Sequence, residues 1–349
     1  MKIQFPNIAI VGTGAMGRGI AQIAAQAGSQ VFLLDANPGA ADAARAALQE
    51  QWNKLVTKGR IEADQATALT ARLHPVTTVA ELAACDLVLE AIVERLDAKQ
   101  ALFVELEGVV RADAVLATNT SSLSVTAIGA SLKHPERLAG FHFFNPVPLM
   151  KVVEVIAGLK TDPSICTALA AYAKAMGHTP VQAQDTPGFI VNHAGRGFGT
   201  EALRIVGEGV ADFATIDRIL RDQVGFKLGP FELMDLTALD VSHPVMESIY
   251  RQYYDEPRFR PSVITAQRLA GGVVGKKVGE GFYRYVEGVA QVPAEAPVPR
   301  RQRHSPGVGV PARCAPGRAV PIAQGPGGHH RNRSIALPPG HHAGGPAGL

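Results

Sequence analysis

Four polar side chains sit in apolar or turn-forming surroundings, and together they could move a proton. His142 ends the segment Leu138-Ala-Gly-Phe-His142. Glu154 lies inside Lys151-Val-Val-Glu-Val-Ile156, twelve residues later and across a turn predicted at Pro146 to Pro148. A carboxylate among apolar strand neighbours is costly to bury unless something pairs with it. His142 could be that partner; the other reading places Glu154 on an exposed strand face. Imidazole has the basicity to take a proton near neutral pH, and a carboxylate beside it fixes its tautomer and stabilises the cation. Ser121, in Asn119-Thr-Ser-Ser122, supplies a hydroxyl where a helix N-cap would serve equally well. Asn192, early in a helix predicted to start near Pro187, supplies an amide that could hold a substrate carbonyl or merely flank the helix. Lys54 and Lys58, four residues apart, share a helix face that suits an anionic phosphate or a solvated basic surface.

Taking a proton from an alcohol oxygen oxidises the alcohol only if something accepts the hydride, and that is work for a cofactor. The chain opens with the means to hold one. Ile8-Ala-Ile-Val11 reads as a buried strand, runs into Gly12-Thr-Gly14-Ala15-Met16-Gly17, and continues as a helix to Gln26. A second strand, Val31 to Leu34, stops at Asp35. Strand, glycine turn, helix, strand and acid stand in the order a dinucleotide requires. Gly12 permits the tight turn, Gly14 lets the pyrophosphate approach the backbone, and Gly17 allows close helix packing. The helix N-terminus offers free N–H groups and a positive dipole end. Asp35 could accept both ribose hydroxyls and would repel a 2′-phosphate, and Ala36-Asn37-Pro38 brings no cation, so NAD is favoured over NADP. The alternative is that Asp35 only begins a turn.

The 349 residues suffice for two substantial cores. Residues 1–185 alternate short apolar strands with helices, which predicts a Rossmann-type, doubly wound, mostly parallel α/β sheet. Its strands are expected at Leu87 to Ala91, Val115 to Ala117, Leu138 to His142, Val152 to Ile156 and Thr179 to Gln182. Leu138 to Ile156 leaves no room for a helical crossover, so an antiparallel pair is expected there. Residues 40–73 predict a helical hairpin projecting from the sheet. Residues 186–286 predict a smaller all-α domain, closed by the aromatic segment Phe282-Tyr-Arg-Tyr285.

The last stretch differs in kind. From Gln291 to Leu349 there are 11 Pro, 10 Gly, seven Arg, no Lys and one acid, Glu295, a charge of +6 in a chain whose total is +3. Residues 287–349 are therefore expected as a disordered tail, or as sequence from a shifted reading frame in GC-rich DNA. The body, at −3, is mildly acidic, which argues against a nucleic-acid partner. No apolar run approaches the ~20 residues of a membrane span. The N-terminus leads directly into the first strand, leaving no signal peptide to expect. Cys85, Cys166 and Cys314 form neither a disulfide framework nor a metal cluster, so no metal and a cytoplasmic setting are expected.

Seven segments together resemble the L-3-hydroxyacyl-CoA dehydrogenase family over residues 5–286. They are Gly12 to Gly17, Glu90-Ala-Ile-Val-Glu94, Thr118-Asn-Thr-Ser-Ser122, Gly140-Phe-His-Phe-Phe-Asn-Pro146, Thr186-Pro-Gly-Phe-Ile-Val-Asn192, Gly229-Pro-Phe-Glu-Leu-Met-Asp235 and Gly279-Glu-Gly-Phe-Tyr283. The resemblance implies NAD-dependent oxidation of (S)-3-hydroxyacyl-CoA, with His142 as base, Glu154 as its partner, Ser121 on the 3-oxygen and Asn192 beside the acyl group. It implies cofactor contacts at Glu94, Lys99 and Asn119, Asp35 on the ribose, Lys54 and Lys58 towards CoA, and a homodimer through the helical domain. The substrate expected is 3-hydroxybutyryl-CoA or, by likeness to longer relatives in phenylacetate degradation, 3-hydroxyadipyl-CoA. Those relatives continue into a linker and a second related domain; the tail here matches nothing in the family. His193 stands where an arginine is usual, and Thr237-Ala238 replaces a pair that normally includes glycine. The rival expectations are a dehydrogenase of free 3-hydroxyacids and a non-catalytic structural relative that keeps the cofactor.

Overall fold

The apolar runs become the strands of one eight-stranded sheet. In this computed structural model, which describes residues 4–295, the order along the chain is β1 (Asn7–Val11), α1 (Ala15–Ala27), β2 (Gln30–Leu34), α2 (Ala40–Thr57), α3 (Ala63–Ala71), β3 (Leu73–Pro75), β4 (Leu87–Glu90), α4 (Leu96–Val109), β5 (Val115–Thr118), α5 (Val125–Gly129), β6 (Leu138–Phe143), β7 (Val152–Ala157), α6 (Pro163–Ala175) and β8 (Thr179–Gln184). The strands lie in the order β3-β2-β1-β4-β5-β6-β7-β8. All neighbours pair in parallel except β6 and β7, which are antiparallel as the short connection required.

Period-two alternation distributes each strand between two layers. Ile8, Ile10, Val31 and Leu33 pack with Ile20 and Ile23 of α1 on one face. Ala9, Val11, Val88 and Leu116 pack with Phe103 and Leu106 of α4 on the other. With both faces covered, the central strands are nearly continuous apolar runs, interrupted towards their carboxyl ends by Glu90, Thr118 and His142.

Three local expectations change. Leu73–Pro75 is a strand at the sheet edge rather than a helix end; three residues are too few to carry a periodic signal. The α2–α3 hairpin does not simply project: Leu48, Trp52 and Leu69 are buried in the same core as β1 and α1. The helix expected from Pro187 begins instead at Val191, because Gly188 (φ 79°) and Phe189 (φ 50°) turn the chain through the left-handed region first.

Beyond that turn come α7 (Val191–Ala194), α8 (Arg196–Gly207), α9 (Phe213–Arg218), a π turn at Ile219–Gln223, α10 (Pro230–Thr237), α11 (Leu239–Gln252) and α12 (Val263–Ala270). Phe231, Leu239 and Phe282 anchor their core. Two buried carboxylates tie the aromatic segment down. Asp217 accepts from the Tyr283 hydroxyl at 2.7 Å, and Asp235 accepts from the Phe282 and Tyr283 N–H groups at 2.8 and 2.9 Å. This part is not wholly α-helical: β9 (Arg284–Val286) and β10 (Val289–Gln291) form an antiparallel hairpin. Strand β10 falls inside the stretch expected as tail, of which residues 296–349 lie outside the described residues.

Candidate active site

The antiparallel register of β6 and β7 sets His142 directly opposite Glu154. Both are buried, at 3% and 0% exposure. His142 Nδ1 lies 2.7 Å from Glu154 Oε2. A carboxylate only accepts, so Nδ1 donates, which in the neutral imidazole assigns the lone pair to Nε2. Nε2 is 3.2 Å from Ser121 Oγ. The second Glu154 oxygen accepts from the Ile190 and Val191 N–H groups, each at 2.9 Å. Burial alone would push the Glu154 carboxyl up; the His142, Val191 and Ile190 hydrogen bonds outweigh it and hold the group below its ordinary 4.5. The exposed-face alternative for Glu154 is excluded.

Ser121 owes its place to a second carboxylate. Glu94 Oε1 accepts from Thr120 Oγ1 (2.7 Å), Ser121 N (2.8 Å) and Ser122 N (2.9 Å), which fixes the turn after β5. Lys99, on α4, sits between Glu94 (3.3 Å) and Glu90 (2.5 Å). Glu90 also accepts from Thr118 Oγ1 at 2.7 Å. Burial pushes the Glu90 carboxyl up despite Lys99, whereas in Glu94 burial is outweighed by the Lys99 charge and the Thr120 hydrogen bond, so its carboxyl is lowered. Asn119 Oδ1 accepts from Phe143 N at 2.8 Å, joining the turn to the end of β6. Two side chains from the helical part reach the same turn. Asn192 Nδ2 donates to Ser121 O at 3.2 Å, and Gln252 Nε2 donates to Ser122 O at 2.7 Å.

The site residues expected from the sequence thus divide into groups. Ser121, His142, Glu154 and Asn192 converge. Glu94 and Asn119 hold the turn that carries Ser121. Lys99, 1% exposed, stands between two carboxylates and supports that turn. Lys54 and Lys58 are exposed on the helical hairpin, with Lys54 paired to Glu50 at 2.7 Å. His193, in the usual arginine's place, accepts or donates at Nδ1 with the Tyr253 hydroxyl (3.0 Å) and packs on Phe259. Glu90 and Thr120 were not singled out. Glu90 carries the same signal as Glu154, an acid in an apolar strand.

The glycine turn fits a dinucleotide. Gly12 has φ 96°, and a Cβ there would fall 2.5 Å from the Ala91 carbonyl oxygen. A Cβ at Gly14 would meet nothing within 4 Å, so open space lies over the start of α1, where Ala15 and Met16 begin the helix. Asp35, at the end of β2, accepts from Thr13 N (2.7 Å), Thr13 Oγ1 (2.8 Å) and Asn37 N (2.9 Å). Burial opposes its ionisation, but the Asn37 and Thr13 hydrogen bonds prevail and its carboxyl is lowered. A carboxylate firmly ionised here suits a ribose diol and disfavours a 2′-phosphate.

Comparison with known proteins agrees with this geometry. Residues 7–186 match the family model for the 3-hydroxyacyl-CoA dehydrogenase NAD binding domain, and residues 188–285 match the model for its C-terminal domain. The chain is 44% identical over 283 residues to a 3-hydroxyadipyl-CoA dehydrogenase of Escherichia coli, covering 81% of this chain and 60% of that protein. It is 37% identical to a probable 3-hydroxybutyryl-CoA dehydrogenase of Bacillus subtilis, covering 82% of this chain and 99% of that one. Among solved structures, the 3-hydroxybutyryl-CoA dehydrogenase of Escherichia coli superposes with a TM-score of 0.79 at 43% identity, over 85% of this chain and 62% of that chain. The chain therefore spans about three fifths of the length of these two Escherichia coli relatives.

Proposed function

The chain belongs to the 3-hydroxyacyl-CoA dehydrogenase family, and on that premise we propose that it interconverts (S)-3-hydroxyacyl-CoA and 3-oxoacyl-CoA with NAD. The observation that carries the reading is the Ser121–His142–Glu154 relay. Bound at the glycine turn, NAD would supply a two-electron acceptor for the hydride leaving C3. His142 Nε2, with its lone pair directed at Ser121, takes the hydroxyl proton as C3 becomes a carbonyl. The imidazolium so formed is stabilised by Glu154, which is already ionised and held by two backbone N–H groups. Ser121 Oγ orients the substrate's 3-oxygen, and the Asn192 amide, bridging from the helical part, orients the thioester end. In the reductive direction His142 returns the proton to the same oxygen.

Further assignments follow from the same reading. Glycines 12, 14 and 17 with Ala15, Met16 and Asp35 hold the dinucleotide, and Glu94 and Asn119 position the turn facing it. Lys54 and Lys58 serve the CoA phosphates, which their exposure on the hairpin supports. We divide the chain between a cofactor part, 1–185, and a substrate part, 186–286, in keeping with the two matched ranges. The helical part forms a homodimer: Ile219, Val224, Phe226 and Leu236 leave apolar surface on it exposed, and patches of this kind mark association sites. No described helix is long and apolar enough to cross a membrane. The free, buried Cys85 and Cys166 suit a reducing cytoplasm. The substrate is a short acyl-CoA, 3-hydroxybutyryl-CoA or 3-hydroxyadipyl-CoA, which places the activity in β-oxidation or phenylacetate catabolism.

The test is loss of NADH absorbance with acetoacetyl-CoA, with free acetoacetate and NADPH alongside. Oxidation of NADH with the ester alone is the expected result. Turnover of free acetoacetate in preference to the ester would assign a free-acid dehydrogenase instead. Cofactor binding with no turnover on any acyl-CoA, 3-oxoadipyl-CoA included, would assign a non-catalytic relative.

A further inference from the structure

A cavity is bordered by Ser121 and Asn192 and runs between α8, α10 and α11. Its wall is largely apolar, with Phe198, Leu233, Met234, Val245 and Met246. Such a wall would accept a plain alkyl chain, were it not for Arg196. That side chain lines the same cavity, is half-buried, and has no carboxylate partner among the described residues. Its Nε is buried without a hydrogen bond, and so is the hydroxyl of Ser242, another lining residue. A guanidinium half-buried at a cavity wall, with its Nε out of reach of water and no anion beside it, is short of a partner. Two orphaned polar groups on one cavity wall point to a ligand that completes them.

We propose that Arg196 receives a carboxylate at the far end of the acyl chain, so that the preferred substrates are short 3-hydroxyacyl-CoA esters of dicarboxylic acids; this rests on the function proposed above. A carboxylate is the partner that a planar five-donor fork fits best. Position agrees with chemistry. Asn192 and Arg196 are four residues apart, and Gly195 between them is α-helical (φ −71°, ψ −10°), so the two side chains rise from one face about one turn apart, ~5.4 Å along the axis. If Asn192 holds the thioester end near C3, a carboxylate a few bonds beyond C3 comes within reach of Arg196. Ser242 adds a hydroxyl donor to the same group. The preference is then strongest near six carbons, where the chain ends beside the guanidinium, and a neutral chain of equal length leaves that cation unpaired.

The experiment compares two substrates that differ only at the far end, 3-hydroxyadipyl-CoA and (S)-3-hydroxyhexanoyl-CoA, by NADH formation with the full chain. The expected result is a kcat/KM at least tenfold higher for the carboxylated ester. Arg196→Met is expected to reduce that ratio at least tenfold, and Arg196→Lys to retain more of it. The ratio is internal to each preparation, so a partly folded variant does not imitate the effect. Equal kcat/KM for the two esters in the wild type, or a ratio unmoved by Arg196→Met, would overturn the proposal while leaving the dehydrogenase reading intact. A ratio unmoved while Arg196→Met converts a dimer to a monomer would overturn it too, and would assign the cation to a subunit contact. Absence of turnover with either ester would overturn the dehydrogenase reading itself.

Discussion

His142 and Glu154 are direct cross-strand partners: β6 and β7 run antiparallel with these residues in register, and Nδ1 stands 2.7 Å from Oε2. Sheet hydrogen bonds, rather than loop packing, thus fix the distance between base and carboxylate. Their second contacts reach two other places, Nε2 to the turn carrying Ser121 and Oε1 to the backbone at Ile190 and Val191. One pair therefore fastens together the sheet, the turn after β5 and the start of the helical part.

Removing either partner should cripple turnover without emptying the cofactor site. His142→Ala and Glu154→Gln are each expected to lower kcat by ~10²–10⁴-fold, the usual worth of a positioned acid–base group. NADH fluorescence titration is expected to show that both still bind the cofactor. Turnover close to normal in both variants would remove the relay from the mechanism.

The second carboxylate gives a pH signature. Glu94's carboxyl is held below its ordinary 4.5, with burial opposing and Lys99 and Thr120 prevailing. The unfolded chain therefore binds that proton more readily, so the stability Glu94 contributes is present above about pH 4.5 and lost as pH falls through the folded value. Glu90 runs the other way, since burial raises it: its contribution is present at low pH and lost as pH rises through its folded value. Thermal melts of wild type and Glu94→Gln should differ most near pH 7 and converge in acid. A gap that stays constant from pH 7 to pH 3.5 would refute the assignment.

How far these relations could be read from the sequence depended on their span along the chain. The glycine turn with Asp35 is local and was legible in full. His142 and Glu154 were legible as candidates because only a turn separates them. The backbone clamp on Glu154 comes from residues 36 and 37 positions away, and no local pattern announces it. Only the family resemblance points to Lys99; its place between Glu90 and Glu94 is a product of tertiary packing that no local pattern announces. Strand β3 and the β9–β10 hairpin went unseen because three-residue strands carry no period. Arg196 drew no notice, since an arginine beginning a helix looks like any solvated charge until its missing partner is visible.

The Lys99 pairing makes a stability prediction. Glu90 is wholly buried and Lys99 is 1% exposed, so Lys99→Met would strand a carboxylate in the core. A loss of about 3–5 kcal/mol is expected in urea unfolding, the usual result of removing one partner of a buried pair. The double variant Glu90→Gln, Lys99→Met should recover part of it. A single variant as stable as the wild type would show that the pair carries no such weight.

Ala238 joins α10 to α11 with φ 66° and ψ 138°, a conformation that a side chain resists. It lies where the family resemblance places glycine nearby. Strain of this kind costs about 1–3 kcal/mol. Ala238→Gly forfeits one buried methyl and some unfolded-state restriction, so a net gain of about 1 kcal/mol is expected. That corresponds to a rise of about 2–4 °C in Tm. An unchanged or lower Tm by calorimetry would show that the turn is not strained.

Gly14 and Gly17 separate binding from folding within one motif. A Cβ at Gly17 would lie 1.8 Å from the Gly12 carbonyl oxygen, so Gly17→Ala forces helix α1 away from the turn and should reduce the folded yield or lower Tm sharply. A Cβ at Gly14 would meet nothing within 4 Å, so Gly14→Val should melt near the wild-type temperature. Its side chain would stand in the open space over the start of α1, where the pyrophosphate must approach the backbone. NADH affinity in Gly14→Val is expected to fall at least tenfold by fluorescence titration. Wild-type affinity in a folded Gly14→Val protein would mean that the dinucleotide does not cross the helix N-terminus at this turn.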